Sequence, residues 1–206
     1  MKRLHGAFAA LCVVALTALG CAGMAPGDGW VTLLDGSNSA TLNNWNRVGD
    51  ANWRVEGGAV VAAKGTGTGN YLVSKNSYSN FQLRAEFWAD HTTNSGIYIR
   101  ASDSVKITTA NAYEVNIFDQ APRPEFGTGS IVNVARVMPI YKAGGKWNTY
   151  VITAKDTHIT AVLNGVETIT MYDSKFASGP LALQFGNRGK EPGGAIKWRK
   201  VQVKEL

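Results

Sequence analysis

From Trp30 onward the chain is organised in short runs of alternating apolar and polar residues. Phe81, Leu83, Ala85 and Phe87 alternate with Gln82, Arg84, Glu86 and Trp88. Ile97 and Ile99 alternate with Tyr98 and Arg100, and Tyr113, Val115 and Ile117 alternate with Glu114, Asn116 and Phe118. Leu181, Leu183 and Phe185 alternate with Ala182 and Gln184. Successive side chains on a strand point to opposite faces, so each run predicts a strand with one core face and one semi-polar face. Helical periodicity is nearly absent.

The punctuation between the runs agrees. Asn164-Gly165 between Leu163 and Val166 predicts a two-residue hairpin, because both residues tolerate the positive φ of a type I′ turn. Glu56-Gly57-Gly58-Ala59 predicts another tight reversal. In the last run, Ile196 and Trp198 are in phase with each other but out of phase with Val201 and Val203; one extra residue near Arg199, a β-bulge, restores the pattern. Roughly a dozen such strands predict an all-β fold, a two-sheet β-sandwich or jelly roll, as one domain over residues 30–206.

The first residues read differently. Met1-Lys2-Arg3 is a basic start, and Ala7 to Leu19 is an apolar stretch too short to span a bilayer. It ends in Thr17-Ala18-Leu19-Gly20-Cys21, which resembles the lipobox of bacterial lipoproteins, with Ala18 where Leu is preferred. That resemblance implies a signal peptide over 1–20, acylation of Cys21, and a tether over 21–29. Ordinary secretion with cleavage nearby is the alternative. Of the 2 cysteines, Cys12 falls inside the apolar stretch, leaving Cys21 nothing to pair with. The expectation is an exported protein held on a periplasmic or cell-surface membrane through lipid, without spanning it.

The formal charge is +6; Lys2 and Arg3 lie in the segment expected to be removed, which lowers the excess by two, to +4. The remaining charges are scattered and form no basic stripe, so nucleic acid is not the expected partner. The 23 glycines and 6 tryptophans point to many turns and some ring-bearing surfaces. No cofactor is expected. His91 and His158 lack the spacing of a zinc site, and Ser95-Gly96 is not a nucleophile elbow.

Parity also nominates a site. Glu86, Arg100, Glu114, Asn116 and Gln184 project together if their strands share one sheet, with Trp88 and Tyr98 on the same parity and Asn94 in the turn feeding Arg100. Carboxylates, a guanidinium and carboxamides offer the donors and acceptors that sugar hydroxyls require. A solvated outer face is the alternative, with Arg100 and Glu114 as a cross-strand pair contributing about 0.2–1 kcal/mol. Asp119, on the other parity, either caps a turn or coordinates a cation, the turn being favoured.

Several pieces in order carry a family resemblance. They are Leu34-Asp35-Gly36 followed by Trp45, Trp53 to Gly58, Tyr78 to Leu83, Asn94 to Arg100, Tyr113 to Asp119, Gly127-Thr128-Gly129, Trp147-Asn148, Leu163-Asn164-Gly165, Gly179 to Gln184, and the closing Val203 to Leu206. Together they resemble the 3-keto-disaccharide hydrolase domain family, whose fold is similar to concanavalin-A-like lectins and glucanases. The resemblance implies cleavage of a glycoside already oxidised at C3: a base removes the acidified C2 proton, the C1 group leaves, and water adds. On that reading Glu114 is the base, Arg100 stabilises the enolate oxygen, and Glu86 is an acid. Asn94, Asn116, Gln184, Trp88 and Tyr98 would bind substrate. Two departures are Asn116, where the family commonly has Gln, and Phe185-Gly186-Asn187, where many members carry a histidine. They leave a non-catalytic carbohydrate-binding module as the alternative.

Overall fold

The computed structural model describes residues 28–186 and 194–206. The lipidation candidate Cys21, the signal segment and most of the tether lie outside the described residues. The strands are β1 (Val31–Asp35), β2 (Trp45–Val48), β3 (Arg54–Glu56), β4 (Ala59–Ala62), β5 (Asn70–Tyr78), β6 (Phe81–Ala89) and β7 (Asn94–Ile99). They continue with β8 (Tyr113–Phe118), β9 (Trp147–Lys155), β10 (His158–Leu163), β11 (Val166–Tyr172), β12 (Gly179–Phe185) and β13 (Ile196–Glu205). Two short 3-10 helices, Ser39–Asn44 and Pro124–Phe126, are the helical elements among the described residues.

These strands form two antiparallel sheets. The larger has eight strands in the order β11-β10-β9-β6-β13-β4-β3, with β1 also pairing with β13; the smaller has five, in the order β2-β5-β12-β7-β8. The fold is therefore the expected all-β sandwich. The core lies between the sheets: Phe81, Leu83, Ala85 and Phe87 of β6 and Tyr150 and Ile152 of β9 meet Ile97 and Ile99 of β7, Tyr113, Val115 and Ile117 of β8, and Leu183 and Phe185 of β12. Each is the apolar parity of its run, which is why alternation in the sequence becomes two packed faces.

The local signals act as read. Asn164 and Gly165 adopt φ of 52° and 84°, both positive as the β10–β11 turn requires. Gly57 and Gly58, with φ of 59° and 75°, turn β3 into β4. Between Trp198, opposite Phe87, and Lys200, opposite Glu86, the β13–β6 register shifts by one residue, so Arg199 is the bulge. The bulge keeps Ile196 and Trp198 buried together with Val201 and Val203.

Glu86 and Trp88 do not share a sheet with the other predicted site residues. They lie on β6 of the larger sheet, whereas Asn94, Tyr98, Glu114, Asn116 and Gln184 lie on the smaller one. Parity relates residues along one strand and carries nothing about which sheet that strand joins. Glu86 pairs with Arg199 at 2.6 Å, and Trp88 lies under the Lys197 ammonium at 4.5 Å.

Candidate active site

The outer face of the smaller sheet is not a solvated surface. The segment between β7 and β8 folds back over one end of it, and Ile107, Ala101 and Ala112 pack with Tyr71, Val73, Tyr98 and Ala182 in a second apolar cluster. The segment after β8 rises on the other side, with Ala121, Pro122, Arg123, Phe126, Val132 and Asn133 facing the enclosed space. Between them is a cleft of about 510 Å³, floored by Tyr71 of β5, Gln184 of β12, Asn94 and Tyr98 of β7, and Glu114 and Asn116 of β8. Its size and mixed lining suit a small polar ligand.

Asp119 holds one wall. Its carboxylate accepts from Thr128 Oγ1 at 2.7 Å and from the backbone N–H groups of Ala143 at 2.9 Å and Gly144 at 2.8 Å. The Lys142 ammonium donates to the Asp119 carbonyl. This is an organising role across a long loop rather than the cap of the Gln120–Pro122 turn. Among the described residues no group of three or more His, Cys, Asp or Glu side chains is placed to hold a metal ion.

Glu114 is 6% exposed. It stands opposite Tyr98 in the β7–β8 ladder, and its carboxylate leans over the neighbouring Gly96. A Cβ on Gly96 would lie 2.9 Å from Glu114 Oε1 and 3.0 Å from its Cγ. A glycine in a strand interior commonly marks such a close approach. The Tyr98 hydroxyl hydrogen-bonds Glu114, and burial followed by the Glu114 charge pushes its pKa far above the ordinary tyrosine value. Tyr98 therefore stays a neutral donor. Tyr71, edge-on to Tyr98 with ring centres 5.3 Å apart, donates to the Ile107 carbonyl at 3.0 Å; burial raises its pKa too.

The two carboxamides of the floor have committed donors. Asn116 Nδ2 donates to the Phe126 carbonyl at 2.7 Å, and Gln184 Nε2 donates to the Thr68 carbonyl at 2.9 Å and weakly to the Tyr98 hydroxyl at 3.4 Å. Their carbonyl oxygens, Asn116 Oδ1 and Gln184 Oε1, are buried without a partner. Buried polar atoms are rarely left so, and two in one cleft point to a ligand that brings donors.

Arg100 belongs elsewhere. It follows β7 with φ of 53°, which breaks the alternation that would have aimed it into the cleft. Its guanidinium, fully buried, donates to the carbonyls of Ser79 at 2.9 Å, Asp156 at 2.7 Å and Phe176 at 3.3 Å. It ties three loops at one end of the sandwich. Burial lowers its pKa from the ordinary arginine value, with Tyr113 and Asp156 acting the other way. The structure thus brings together Asn94, Tyr98, Glu114, Asn116 and Gln184, and separates Arg100, Glu86 and Trp88 from them. Sequence reasoning missed Tyr71 and Gly96; the interruption of an otherwise bulky strand by Gly96 was the available signal.

Residues 29–204 match the family described as the 3-keto-alpha-glucoside-1,2-lyase-like domain. The chain belongs to this family. It is a carbohydrate-related domain, as the resemblance implied. No curated protein matches the sequence. A solved structure from Parabacteroides distasonis ATCC 8503, described as a candidate glycosyl hydrolase, is similar with a TM-score of 0.69 at 22% identity, over 86% of this chain and 99% of that one. The carbohydrate-binding module CBM66 from Bacillus subtilis is similar with a TM-score of 0.55 at 16% identity, over 79% and 96%. The carbohydrate recognition domain of Emp46p, in its potassium-bound form, gives 0.60 at 10% identity, over 84% and 95%. At these identities the likeness is one of fold, and fold alone does not select between cleavage and binding.

Proposed function

We propose that the cleft takes a glycoside oxidised to a ketone at C3 and eliminates the group at C1, with Glu114 as the base. The observation that carries this reading is the placement of Glu114: a carboxylate buried at the floor of a cleft, fixed across Gly96 and hydrogen-bonded by Tyr98. The ketone acidifies the C2 proton, so a single base suffices for the first step. Membership of a family described as 1,2-lyase-like supports elimination, and addition of water to the product is a separate later step. Asn116 Oδ1 and Gln184 Oε1 would accept from ring hydroxyls. Glu86 has no part in this reading, being on the other sheet.

A non-catalytic carbohydrate-binding module is the second reading, favoured by those same two acceptors, which would bind an unoxidised sugar as well. Incubating the protein with a 3-keto-α-glucoside distinguishes the two. Release of the C1 alcohol by the parent protein, lost in Glu114→Gln, supports the lyase. Binding of oxidised and unoxidised sugars alike with no turnover supports the module.

We further propose that the chain is exported and lipidated at Cys21. Changing Cys21 to Ser should move it from the membrane to the soluble fraction, and unchanged membrane association would sink the idea.

A further inference from the structure

We infer that the carboxamide of Asn94 is the donor that holds the C3 oxygen as negative charge develops on it. This rests on the lyase reading of the cleft.

In the step that Glu114 begins, the C2–H bond breaks, the proton goes to the carboxylate, and the electron pair forms a C2–C3 double bond. Charge moves onto the C3 oxygen. When the ketone re-forms, the pair becomes a C1–C2 double bond and the C1–O bond breaks. The departing oxygen takes a proton from water, Glu114 returns its own to solvent, and the products are an unsaturated ketone and an alcohol. The rate of the first step depends on a hydrogen-bond donor already aimed at the C3 oxygen.

The floor of the cleft is short of free donors: the Tyr71 hydroxyl is spent on the Ile107 carbonyl and the Tyr98 hydroxyl on Glu114. Glu114 contributes a carboxylate, and Asn116 and Gln184 present only their carbonyl oxygens, since their N–H groups are engaged with Phe126 and Thr68. Arg100 is turned away, and Arg123 is on the rim, 58% exposed and paired with Glu125. Asn94 differs: it is 8% exposed, lines the cleft, and its side chain makes no hydrogen bond among the described residues.

Two features show that the placement is built. The Asn94 backbone is pinned on both sides, opposite Phe118 in β8 and by the Gly186 N–H donating to its carbonyl at 2.8 Å. Gly186 also makes the room: a Cβ there would lie 2.6 Å from Asn94 Nδ2. Asn94 and Gly96 are consecutive on the cleft face of β7. The Glu114 carboxylate, lying over Gly96, is thus one same-face step of about 6–7 Å along the strand from Asn94. A base and a donor so spaced fit the adjacent C2 and C3 of one ring.

The test uses the full chain and 4-nitrophenyl 3-keto-α-glucoside. Asn94→Ala should lower kcat by about 10²–10³-fold while KM changes less than threefold. Unchanged kcat in Asn94→Ala, with Glu114→Gln inactive, would overturn the role of Asn94 and leave the lyase reading standing. A raised KM at unchanged kcat would also overturn it, making Asn94 a ground-state contact. No turnover by the parent protein would overturn both. A second measurement needs no turnover. In Glu114→Gln, the infrared band of the bound C3 ketone should lie at lower frequency than in Glu114→Gln/Gly186→Ala, where the new methyl displaces the amide. The same frequency in both would count against Asn94.

Discussion

Gly96 and Glu114 are neighbours across two strands, and the carboxylate of one occupies the space in which the other would carry a side chain. A Cβ at position 96 would lie 2.9 Å from Oε1. Gly96→Ala should push the carboxylate off the floor of the cleft. The far end of a glutamate can yield, and alanine relieves the 0.5–1 kcal/mol or so by which glycine weakens a strand. The fold should therefore hold, with stability within about 1 kcal/mol of the parent. A misplacement of about 1 Å costs about 10²-fold, so kcat should fall by that order. Steady-state kinetics beside a melting curve checks both halves.

Arg100 is expected to matter for stability and not for turnover. Arg100→Met keeps most of the buried stem but leaves the carbonyls of Ser79, Asp156 and Phe176 without their donor. Hydrogen bonds to a charged donor contribute about 1.5–3 kcal/mol each, and water can recover part of the loss at the loop ends, so a cost of about 2–4 kcal/mol is expected. Urea unfolding measures it. A folded Arg100→Met protein whose kcat falls more than tenfold would return Arg100 to the chemistry.

The Tyr113 hydroxyl donates to Asp173 Oδ1, joining β8 to the loop after β11. That bond, more than any other interaction, holds the Asp173 carboxyl below its ordinary value of 3.8. A lowered carboxylate pKa stabilises the fold above the unfolded value, and the gain is lost as pH falls through the folded one. Tyr113 shifts the opposite way, pushed up to about 12 by burial and then by Asp173. Its contribution is complete below the unfolded value of 10.0 and is lost as pH rises from there to about 12. Tyr113→Phe should lower Tm at neutral pH and flatten both the acid limb below pH 3.8 and the alkaline limb above pH 10. A Tm–pH profile with parallel limbs in both proteins would show that the bond is not made in solution.

Gln184→Met separates ligand binding from folding. The change keeps length and bulk, removes the unpartnered Oε1, and gives up the bond to the Thr68 carbonyl. Loss and relief are of similar size, so the unliganded protein should keep its stability within about 1 kcal/mol. If Oε1 accepts from a sugar hydroxyl, affinity should drop about 10-fold, the equivalent of roughly 1.4 kcal/mol. Calorimetric titration of the Glu114→Gln protein with and without the second change reads this without turnover; equal affinities would remove Gln184 from the site.

Whatever is set by neighbours along one strand was legible in the sequence. Alternation fixed which residues of each run face the core. Asn164-Gly165 and Gly57-Gly58 made their turns because positive φ is a property of those residues, and the phase change of the last run located the bulge at Arg199. Alternation also placed Asn94, Tyr98, Glu114, Asn116 and Gln184 on faces that the folded chain turns to one side of one sheet. Tertiary structure decided the rest. Strand β6 pairs with β13 and β9, both distant in the chain, and those partners carry Glu86 and Trp88 to the other sheet. No period-two pattern encodes that choice, because both sheets present the same alternation to a shared core. A single positive φ at Arg100, imposed where Ser79, Asp156 and Phe176 offer their carbonyls, took the guanidinium out of the cleft. The walls that turn an outer sheet face into a site come from segments without periodicity, held by contacts such as those of Asp119 with Thr128 and Ala143. Contacts of that kind exist only once distant parts of the chain have met.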